Sequence, residues 1–357
     1  MDAARLLSEL IQAKSLPGEE APARGVLKAA LEGLGLDVEV DALGNLEALL
    51  EGPGPELLFT GHMDVVPAGD EAAWPVPPFS GAIQDGFIWG RGAVDMKGAL
   101  AAMVAAVARL VEAGTPRRVR LLFVVAEEIG GAGSRFAAGR LKPAAIVLGE
   151  PSRLRLMRGH RGRIEPHLIF SGRQGHAALP NDDNPLYKLG HALVALEGLD
   201  LGSDPDTGKN TLQPTQVFVR PNAINVVPGE VELTLDGRYG PRVDPARLLE
   251  RLAALGEVVL PELGLGAVRY PADFPPYVLP EDHPVLKQAL RLLGQEAAGL
   301  WPFTTDAPYL AKTGAPILGL GPGDPALAHT LEERLAVEEL EAAVAAYHRL
   351  AVGLGRG

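Results

Sequence analysis

The chain has 357 residues, with 33 Lys and Arg against 45 Asp and Glu, a net charge of −12 and no cysteine. This length predicts about two domains, and the 47% hydrophobic content is typical of a globular protein with a large core. The absence of cysteine excludes disulfides, thiolate catalysis and cysteine-bound metals, and the negative charge argues against a nucleic-acid partner.

The first 150 residues alternate predicted helices with short apolar strands. Apolar residues recur at helical spacing around residues 6–11 and 26–34 and in the segment Ala99–Ala113. The segments with β-strand character are Val38–Val40, Leu57–Phe59, Val119–Ala126 and Ala145–Leu148. This alternation predicts an α/β fold with a mostly parallel sheet flanked by helices, with a functional site beyond the carboxyl ends of its strands.

No segment of the sequence has the pattern of a membrane anchor or a signal peptide. The apolar stretch around Ala99–Val111 is too short to span a bilayer and contains Arg109. Asp2 stands where a signal peptide carries positive charge, and the residues after it have the spacing of an amphipathic helix. We therefore expect a cytoplasmic protein with neither a membrane nor a nucleic-acid partner.

From about Gly159 the hydrophobic pattern changes to a period of two, which is typical of half-exposed strands. These strands are predicted at Arg161–Phe170, Thr211–Arg220 and Gly229–Asp236, with helices at Pro185–Leu196 and Pro245–Leu255. After Pro271–Pro280, which we interpret as a return linker, the first pattern resumes with Pro284–Gly294, Pro316–Leu320 and Val337–Gly353. The sequence thus predicts a catalytic domain of residues 1–158 and 273–357, with an inserted α+β domain of residues 159–272.

Histidines and carboxylates stand at the ends of the predicted strands of the first domain. His62 and Asp64 follow one strand, and Asp95 lies in the glycine-rich segment GRGAVDMKG before a helix. Each has an ordinary explanation by itself, since polar residues end strands and Asp often caps helices. The adjacent carboxylates of Glu127 and Glu128 follow the apolar segment LLFVVA. If both were buried without partners, this pair would be costly.

Two further candidates complete a set that fits a pair of metal ions. Glu150 ends the segment AAIVLGE, and His329 follows a Gly-Pro-Gly turn. Histidines and carboxylates without cysteine are ligands for two zinc-like ions, and two such ions about 3.5–4 Å apart can share one carboxylate. The count allows one ion at His62, Asp95 and Glu150, a second at Asp95, Glu128 and His329, and Glu127 as a free base.

The sequence resembles the M20 family of zinc peptidases and amidohydrolases. The segments GHMDVVP, GRGAVDMKG, EEIGG, GEPS and AHTLEE occur in the order and spacing of that family over nearly the whole chain. The resemblance implies two co-catalytic ions, zinc with cobalt or manganese as alternatives, and an inserted lid domain that forms a homodimer. It also implies metal ligands at the five positions above, Glu127 as general base, and Asp64 as the carboxylate that supports His62.

Three residues of the predicted lid have counterparts in the same family. His176 resembles the lid histidine that reaches the active site of the partner subunit. Asn225 and Arg238 resemble residues that bind the reacting carbonyl region and the carboxylate of the substrate, and an arginine fork suits a carboxylate. Without the resemblance, all three would be read as ordinary surface or turn residues.

These features predict a dinuclear zinc-dependent hydrolase that cleaves the amide bond of small N-acyl amino acids, in the manner of an acetylornithine deacetylase. Glu127 is expected to take a proton from metal-bound water as the water attacks the carbonyl. A carboxypeptidase or dipeptidase, an aminoacyl carrier-protein hydrolase of lysine or arginine biosynthesis, and a non-catalytic binding protein stay open. A nucleotide site in GRGAVDMKG is the weakest alternative, because the segment lacks both G-x-G-x-x-G and the P-loop pattern.

Overall fold

The computed structural model describes residues 1–114, 117–265 and 268–355. Its α-helices span Ala3–Gln12, Ala21–Glu32, Lys97–Glu112, Ala132–Ala138, Pro185–Glu197, Pro245–Ala253, Pro284–Leu293, Ala307–Leu310 and Val337–Gly353. Short 3-10 turns lie at Glu71–Ala73, Ala311–Thr313 and Pro325–Leu327. Within the described ranges, none of these helices combines the length and the low polarity that crossing a bilayer requires.

Local signals explain where several helices begin. Asp2 caps the first helix by accepting a hydrogen bond from the backbone of Arg5. Three later helices start with proline, and each proline follows a residue whose side chain accepts a bond from the backbone N–H two positions on. These capping residues are Asn184, Asp244 and His283. A capping acceptor followed by proline is a favourable helix start, because the cap satisfies a free N–H and proline lacks one.

A nine-stranded sheet forms the centre of the larger part of the chain. In spatial order its strands are Val38–Val40, Leu46–Leu50, Val119–Val124, Leu57–His62, Ala145–Leu148, Ile317–Gly319, Met157–His160 and Tyr277–Val278, and Gly299–Trp301 also pairs with Met157–His160. The four strands from Val119–Val124 to Ile317–Gly319 run parallel to one another. The other strand pairs of the sheet are antiparallel, except that Gly299–Trp301 runs parallel to Met157–His160. The predicted α/β class with a parallel central sheet is confirmed.

Helices cover both faces of this sheet. On one face the alanine-rich helix Lys97–Glu112 is almost completely buried and packs against Val337–Gly353 and Ala3–Gln12. On the other face a smaller apolar cluster forms around Trp301 and Leu310. Strands buried on both faces explain why the segments are apolar throughout rather than alternating.

The segment between the two halves of the large sheet forms an antiparallel sheet with its own core. The strands of this second sheet are Gly162–Ile164, His167–Ser171, Thr211–Arg220, Glu230–Tyr239, Glu257–Val259 and Asp273–Phe274. Helices Pro185–Glu197 and Pro245–Ala253 cover one face, and the apolar cluster between them contains only residues of this segment. We call residues 161–274 the inserted unit.

Small ribbons complete the structure. One ribbon has three strands, Ile83–Gln84, Phe87–Trp89 and Arg334–Ala336. The two-stranded ribbons are Gly175–His176 with Val226–Val227, Ser203–Asp204 with Gly208–Lys209, and Glu262–Leu265 with Val268–Pro271.

Two predictions about this region need correction. The single strand predicted at Arg161–Phe170 is two strands separated at Pro166, which has no N–H to continue a ladder. The predicted linker Pro271–Pro280 contains two short strands, Asp273–Phe274 in the small sheet and Tyr277–Val278 in the large one. The chain thus changes sheets at Arg161 and again between Phe274 and Tyr277, a few residues after the limits predicted at 158 and 273.

Candidate functional site

The parallel strands deliver several of the predicted site residues to one edge of the large sheet. His62 is the last residue of its strand, and it pairs with Val124, the last residue of the neighbouring strand. Glu127 and Glu128 follow Val124 by a few residues and therefore lie just beyond the same edge of the sheet. On the other side of Leu57–His62, the strand Ala145–Leu148 also runs parallel and leads into Glu150.

Asp95 lies between two histidines that are far apart in the chain. Its Oδ1 is 3.0 Å from His62 Nε2, and its Oδ2 is 3.3 Å from His329 Nε2. Asp95 does not cap the following helix, because that helix has Met96 at its N-cap without a side-chain bond. The ordinary explanation of Asp95 as a capping residue is therefore wrong, and its carboxylate is free to bridge.

The remaining carboxylates complete a group around each histidine. His329 Nε2 is 3.1 Å from an oxygen of Glu128, and His62 Nε2 is 3.9 Å from an oxygen of Glu150. The two groups are His62, Asp95, Glu150 and Asp95, Glu128, His329. In each group the candidate ligand atoms lie within 4.8 Å of one another. The structure thus brings together all five predicted ligands and makes Asp95 the shared member.

The orientation of His62 suits metal binding. Its Nδ1 is 2.8 Å from the backbone oxygen of Asp64, so Nδ1 carries the proton and donates it. Nε2, which faces Asp95 and Glu150, is therefore the ring atom that can bind a metal once it has released its proton. The carboxylate of Asp64 lies 3.6 Å from the same Nδ1, close enough to act on the ring electrostatically, and its predicted support of His62 stays a prediction.

The carboxylate of Asp64 also holds the turn that carries the two adjacent glutamates. Its two oxygens accept hydrogen bonds from the backbone N–H groups of Glu127 at 3.2 Å and Glu128 at 3.1 Å. Asp64 is fully buried. Ala126, just before the pair, has a left-handed φ of 56°, and its N–H donates to the buried carboxylate of Glu20. The directions of Glu127 and Glu128 are thus set by carboxylates of other segments.

The electrostatics of the site favour cations. Burial raises the pKa of Glu127 and Glu150 well above its ordinary value, and neighbouring carboxylates raise it further. Burial opposes ionisation of Asp95 as well, but its bonds with the two histidines lower its pKa. The bonds of His329 with Asp95 and Glu128 raise its pKa to about 10. Because carboxylates outnumber histidines here, the donor set fits two divalent cations bridged by Asp95.

Glu127 faces a cavity of about 480 Å³ and belongs to neither ligand group. Asp95, Glu128, Glu150 and His329 line the same cavity. A carboxylate that touches the cavity without taking part in either group is free to exchange protons with a substrate. This geometry matches the predicted role of Glu127, which stays a prediction.

The inserted unit contributes the opposite wall of the cavity. Arg238 lies there, as predicted, and so does Arg163, which sequence reasoning missed. The two residues are paired in adjacent antiparallel strands. Asp236 accepts from Nε of Arg238 at 2.6 Å and from Nε of Arg163 at 3.0 Å. The register that brings the two arginines together cannot be read from either strand alone, which is why Arg163 was not found.

His176 and Asn225 do not line this cavity. Both are exposed on the inserted unit, where Gly175–His176 pairs with Val226–Val227 and Ala177 donates to the backbone oxygen of Asn225. The structure of one chain therefore keeps these two predicted substrate residues together but away from the candidate metal ligands.

Segment 302–306 of the catalytic part, which resembles the substrate-binding segments of the M20 family only loosely, also contributes to the site. Phe303 and Thr304 line the cavity, together with Phe274 of the inserted unit. Asp306 is buried behind them and accepts a 2.6 Å hydrogen bond from Ser134, and burial is the main reason that its pKa rises to about 6. The sequence around Asp306 gave no sign of this contact, because Ser134 is 172 positions away.

Comparisons with known proteins agree with this site. Residues 58–352 match the family described as Peptidase family M20/M25/M40. Succinyl-diaminopimelate desuccinylases from Alkalilimnicola ehrlichii and Halorhodospira halophila are 33% and 34% identical to the chain, and the alignments cover 94% and 96% of it and 94% and 95% of the relatives.

Solved structures show the same fold. An M20 family metallo-carboxypeptidase from Sulfolobus solfataricus superposes with a TM-score of 0.80 at 17% identity over 99% of both chains. A dinuclear metal binding peptidase of the M20 family from Bacillus subtilis superposes with a TM-score of 0.69 at 18% identity, over 98% of this chain and 96% of the other. The chain belongs to peptidase family M20, and it is a metal-dependent hydrolase of amide bonds.

Proposed function

We propose that this hydrolase removes the acyl group from small N-acyl amino acids that carry a free carboxylate. Two divalent cations, zinc in the first instance, are held by His62, Asp95 and Glu150 and by Asp95, Glu128 and His329. The observation that carries this proposal is the position of Asp95, whose two oxygens face two different histidines at 3.0 and 3.3 Å. Glu127 stands beside both groups in the same cavity.

The cations supply Lewis acidity, which polarises the substrate carbonyl and lowers the pKa of water. Glu127 takes a proton from the attacking water as the new C–O bond forms. It then gives this proton to the amine nitrogen as the C–N bond breaks, so that one water yields a carboxylic acid and an amine. Because burial raises the pKa of Glu127, the carboxylate is a better proton acceptor than an exposed glutamate.

Arg163 and Arg238 form the part of the cavity that suits the substrate carboxylate. Asp236 and Glu165 occupy Nε and Nη2 of Arg163, and Asp236 occupies Nε and Nη2 of Arg238. Among the described residues, no bond occupies Nη1 of either side chain. Two guanidinium groups that are already held in place can bind a carboxylate with little loss of side-chain entropy.

The choice of a deacylase over a peptidase rests on the relatives. The two desuccinylases align with almost the whole chain, whereas the peptidases named above are similar in fold at less than 20% identity. The predicted preference for acetylornithine remains a prediction, and a succinylated diamino acid is an equal candidate on the strength of the relatives' names.

The test is a substrate panel with protein that has been stripped of metal and reloaded with zinc or cobalt. N-acetylornithine, N-succinyl-diaminopimelate, several dipeptides and an aminoacylated carrier protein are compared by release of the free amine. We expect two bound ions per chain and the highest kcat/KM on an N-acyl amino acid. Higher kcat/KM on dipeptides or on the carrier protein would favour those alternatives, and fewer than one ion per chain would reject the proposal.

Variants of the arginines test how the substrate is bound. Arg163→Met and Arg238→Met should each raise KM for the free acid. The corresponding substrate amide has no carboxylate, so it should react with similar kinetics in the wild type and in both variants. Arg269→Met is the control, because Arg269 is an exposed arginine of the inserted unit that does not line the cavity. Unchanged KM for the acid would reject the two-arginine carboxylate site.

We also propose that the chain works as a homodimer through the inserted unit. Helix Pro185–Glu197 exposes Tyr187 and Val194, each more than 70% accessible, and Thr211–Arg220 is a ten-residue edge strand that exposes Val217 and Phe218. An uncovered edge with apolar side chains is suited to pairing with a second copy.

A dimer of this kind could bring His176 of one subunit to the cavity of the other. Mixing inactive His176→Ala with inactive Glu127→Gln should then restore part of the activity, because a mixed dimer contains one site with both residues. No recovery in mixtures shown to exchange subunits would reject a role for His176 across the interface, and sedimentation of a monomer would reject the dimer itself.

A further inference from the structure

The carboxylate of Glu333 fills a ring of hydrogen-bond donors at the start of the loop that carries Asp95. Its Oε1 accepts from the backbone N–H groups of Gly92 at 3.0 Å, Val94 at 3.0 Å and Asp95 at 3.1 Å. Its Oε2 accepts from Arg91 Nη1 at 2.5 Å, and the side chain is fully buried. Four donors thus converge on one carboxylate that belongs to neither candidate ligand group.

Strand pairing places Glu333 at this point. The strand Arg334–Ala336 pairs antiparallel with Phe87–Trp89, and the N–H of Gly90 donates to the backbone oxygen of Glu333. The loop then folds around the carboxylate with Gly92 at a φ of +85°, where a Cβ atom would come within 2.6 Å of Val65. Only glycine fits this position without strain.

This arrangement explains the glycine-rich segment GRGAVDMKG. Successive backbone N–H groups that point inward form a concave anion site, and such loops often hold phosphate. Here the anion is a side chain of the protein itself, and Arg91 supplies the counter-charge. The segment therefore forms a loop whose N–H groups bind a side chain of the same protein rather than a nucleotide.

We propose that Glu333 is a positioning residue that fixes the backbone of Asp95 so that both of its oxygens face the two histidines. His329 lies only four residues before Glu333, so the same carboxylate links the loop of Asp95 to the loop of His329. The group of Asp95, Glu128 and His329 then forms as one unit. This inference rests on the proposed two-metal site and adds to it a residue that touches neither the ions nor the substrate.

Metal binding by stripped protein tests the proposal without relying on turnover. The variants are Glu333→Ala, which removes the acceptor, and Glu333→Gln, which keeps one oxygen for the three amides but loses the pair with Arg91. Glu332→Gln is the matched control, because Glu332 is the adjacent glutamate and is exposed. Binding of zinc is followed by calorimetry, and binding of cobalt by its visible absorption.

We expect Glu333→Ala to weaken binding of the ion at Asp95, Glu128 and His329 by about 10- to 100-fold. This is the usual effect of losing a residue that orients a metal ligand. Glu333→Gln should fall between Glu333→Ala and the control. At saturating metal, kcat should recover in both variants, and KM should stay near that of the wild type because Arg163 and Arg238 are unchanged. Amide exchange at Gly92, Val94 and Asp95 should be faster in Glu333→Ala.

Two results separate this inference from the proposed function. If the wild type binds two ions and Glu333→Ala binds them as tightly as Glu332→Gln does, Glu333 does not position Asp95 and the proposed function is untouched. If the wild type itself binds no ions, the proposed function fails and the inference fails with it. Should Glu333→Ala not fold, Glu333→Gln decides the question, since equal affinities in Glu333→Gln and Glu332→Gln would overturn the proposal.

Discussion

The carboxylate of Asp64 accepts a 3.2 Å hydrogen bond from the backbone of Glu127, 63 positions further along the chain. Asp64 therefore connects the strand end that carries His62 with the turn that carries the proposed base and a proposed ligand. Its other oxygen accepts from Glu128, so the two bonds together set the direction of both glutamates.

Asp64→Asn should lower both kcat and metal affinity. The amide keeps one oxygen acceptor, but its NH₂ group faces a backbone donor and cannot replace the second bond. We expect a loss of about 10- to 100-fold in kcat/KM, as for other residues that orient metal ligands. Steady-state kinetics and zinc titration measure the two effects. Asp70→Asn is the control, because Asp70 caps an exposed turn, and equal activity of the two variants would argue against this role of Asp64.

Glu127→Gln should separate catalysis from metal binding. Since Glu127 belongs to neither ligand group, the variant should still bind two ions, whereas kcat should fall by about 10²- to 10⁴-fold with the loss of proton transfer. Metal content and single-turnover kinetics check both parts. Glu19→Gln, at an exposed glutamate, serves as the control. Near-normal turnover in Glu127→Gln would reject Glu127 as the base.

Metal affinity should increase with pH. The bonds with Asp95 and Glu128 raise the pKa of His329 to about 10, so this imidazole is protonated at neutral pH and must release its proton to bind an ion. Burial by itself would lower the pKa of His62, but the hydrogen bond with Asp95 and the charges of three further carboxylates together outweigh burial and raise it. For each proton displaced, affinity should rise about tenfold per pH unit below the pKa of that group.

Competition with a chelator at pH 6, 7 and 8 measures this dependence, and calorimetry in buffers of different ionisation enthalpy counts the protons released. We also expect dialysis against metal-free buffer to remove the ions and abolish activity more readily at pH 6 than at pH 8. Equal affinities at pH 6 and pH 8 would contradict the prediction.

Glu56 should stabilise the fold in a pH-dependent way. Burial favours its neutral form, but hydrogen bonds from Arg120 at 2.8 Å and Arg118 at 3.1 Å outweigh burial and lower its pKa below the ordinary 4.5. A carboxylate with a lowered pKa in the folded state contributes stability that is complete above its unfolded pKa. This contribution disappears as the pH falls through the folded pKa.

Glu56→Gln should therefore lower the free energy of unfolding at pH 7 by about 1.5–3 kcal/mol, the range for hydrogen bonds to charged groups. The difference from the wild type should shrink as the pH falls below 4.5. Urea unfolding at pH 7, 4 and 3 measures it. Glu51→Gln should have little effect, because Glu51 pairs with the same Arg118 but its side chain is 69% exposed. A constant difference at all three pH values would be the contrary result.

Much of the candidate site could be predicted because its residues follow strands whose apolar character is visible in the sequence. His62, Glu128 and Glu150 stand at or just after such strands, and parallel strands bring their carboxyl ends to one edge. The buried Glu333 could not be predicted in this way. It is one of two adjacent glutamates, and nothing in the pair indicates that Glu332 is exposed while its neighbour receives four hydrogen bonds.

Local patterns in the sequence were enough to predict most helices and strands, the α/β class and the residues available for metal binding, because periodicity and capping depend on neighbours within a few positions. Which distant groups meet depends on the packing of the whole chain: Asp64 meets the turn of Glu127, Arg163 meets Arg238, and Glu333 meets the loop of Asp95. The reason is that strand order and register follow from how whole surfaces pack together. A buried carboxylate takes as partners whatever N–H groups that packing brings within reach.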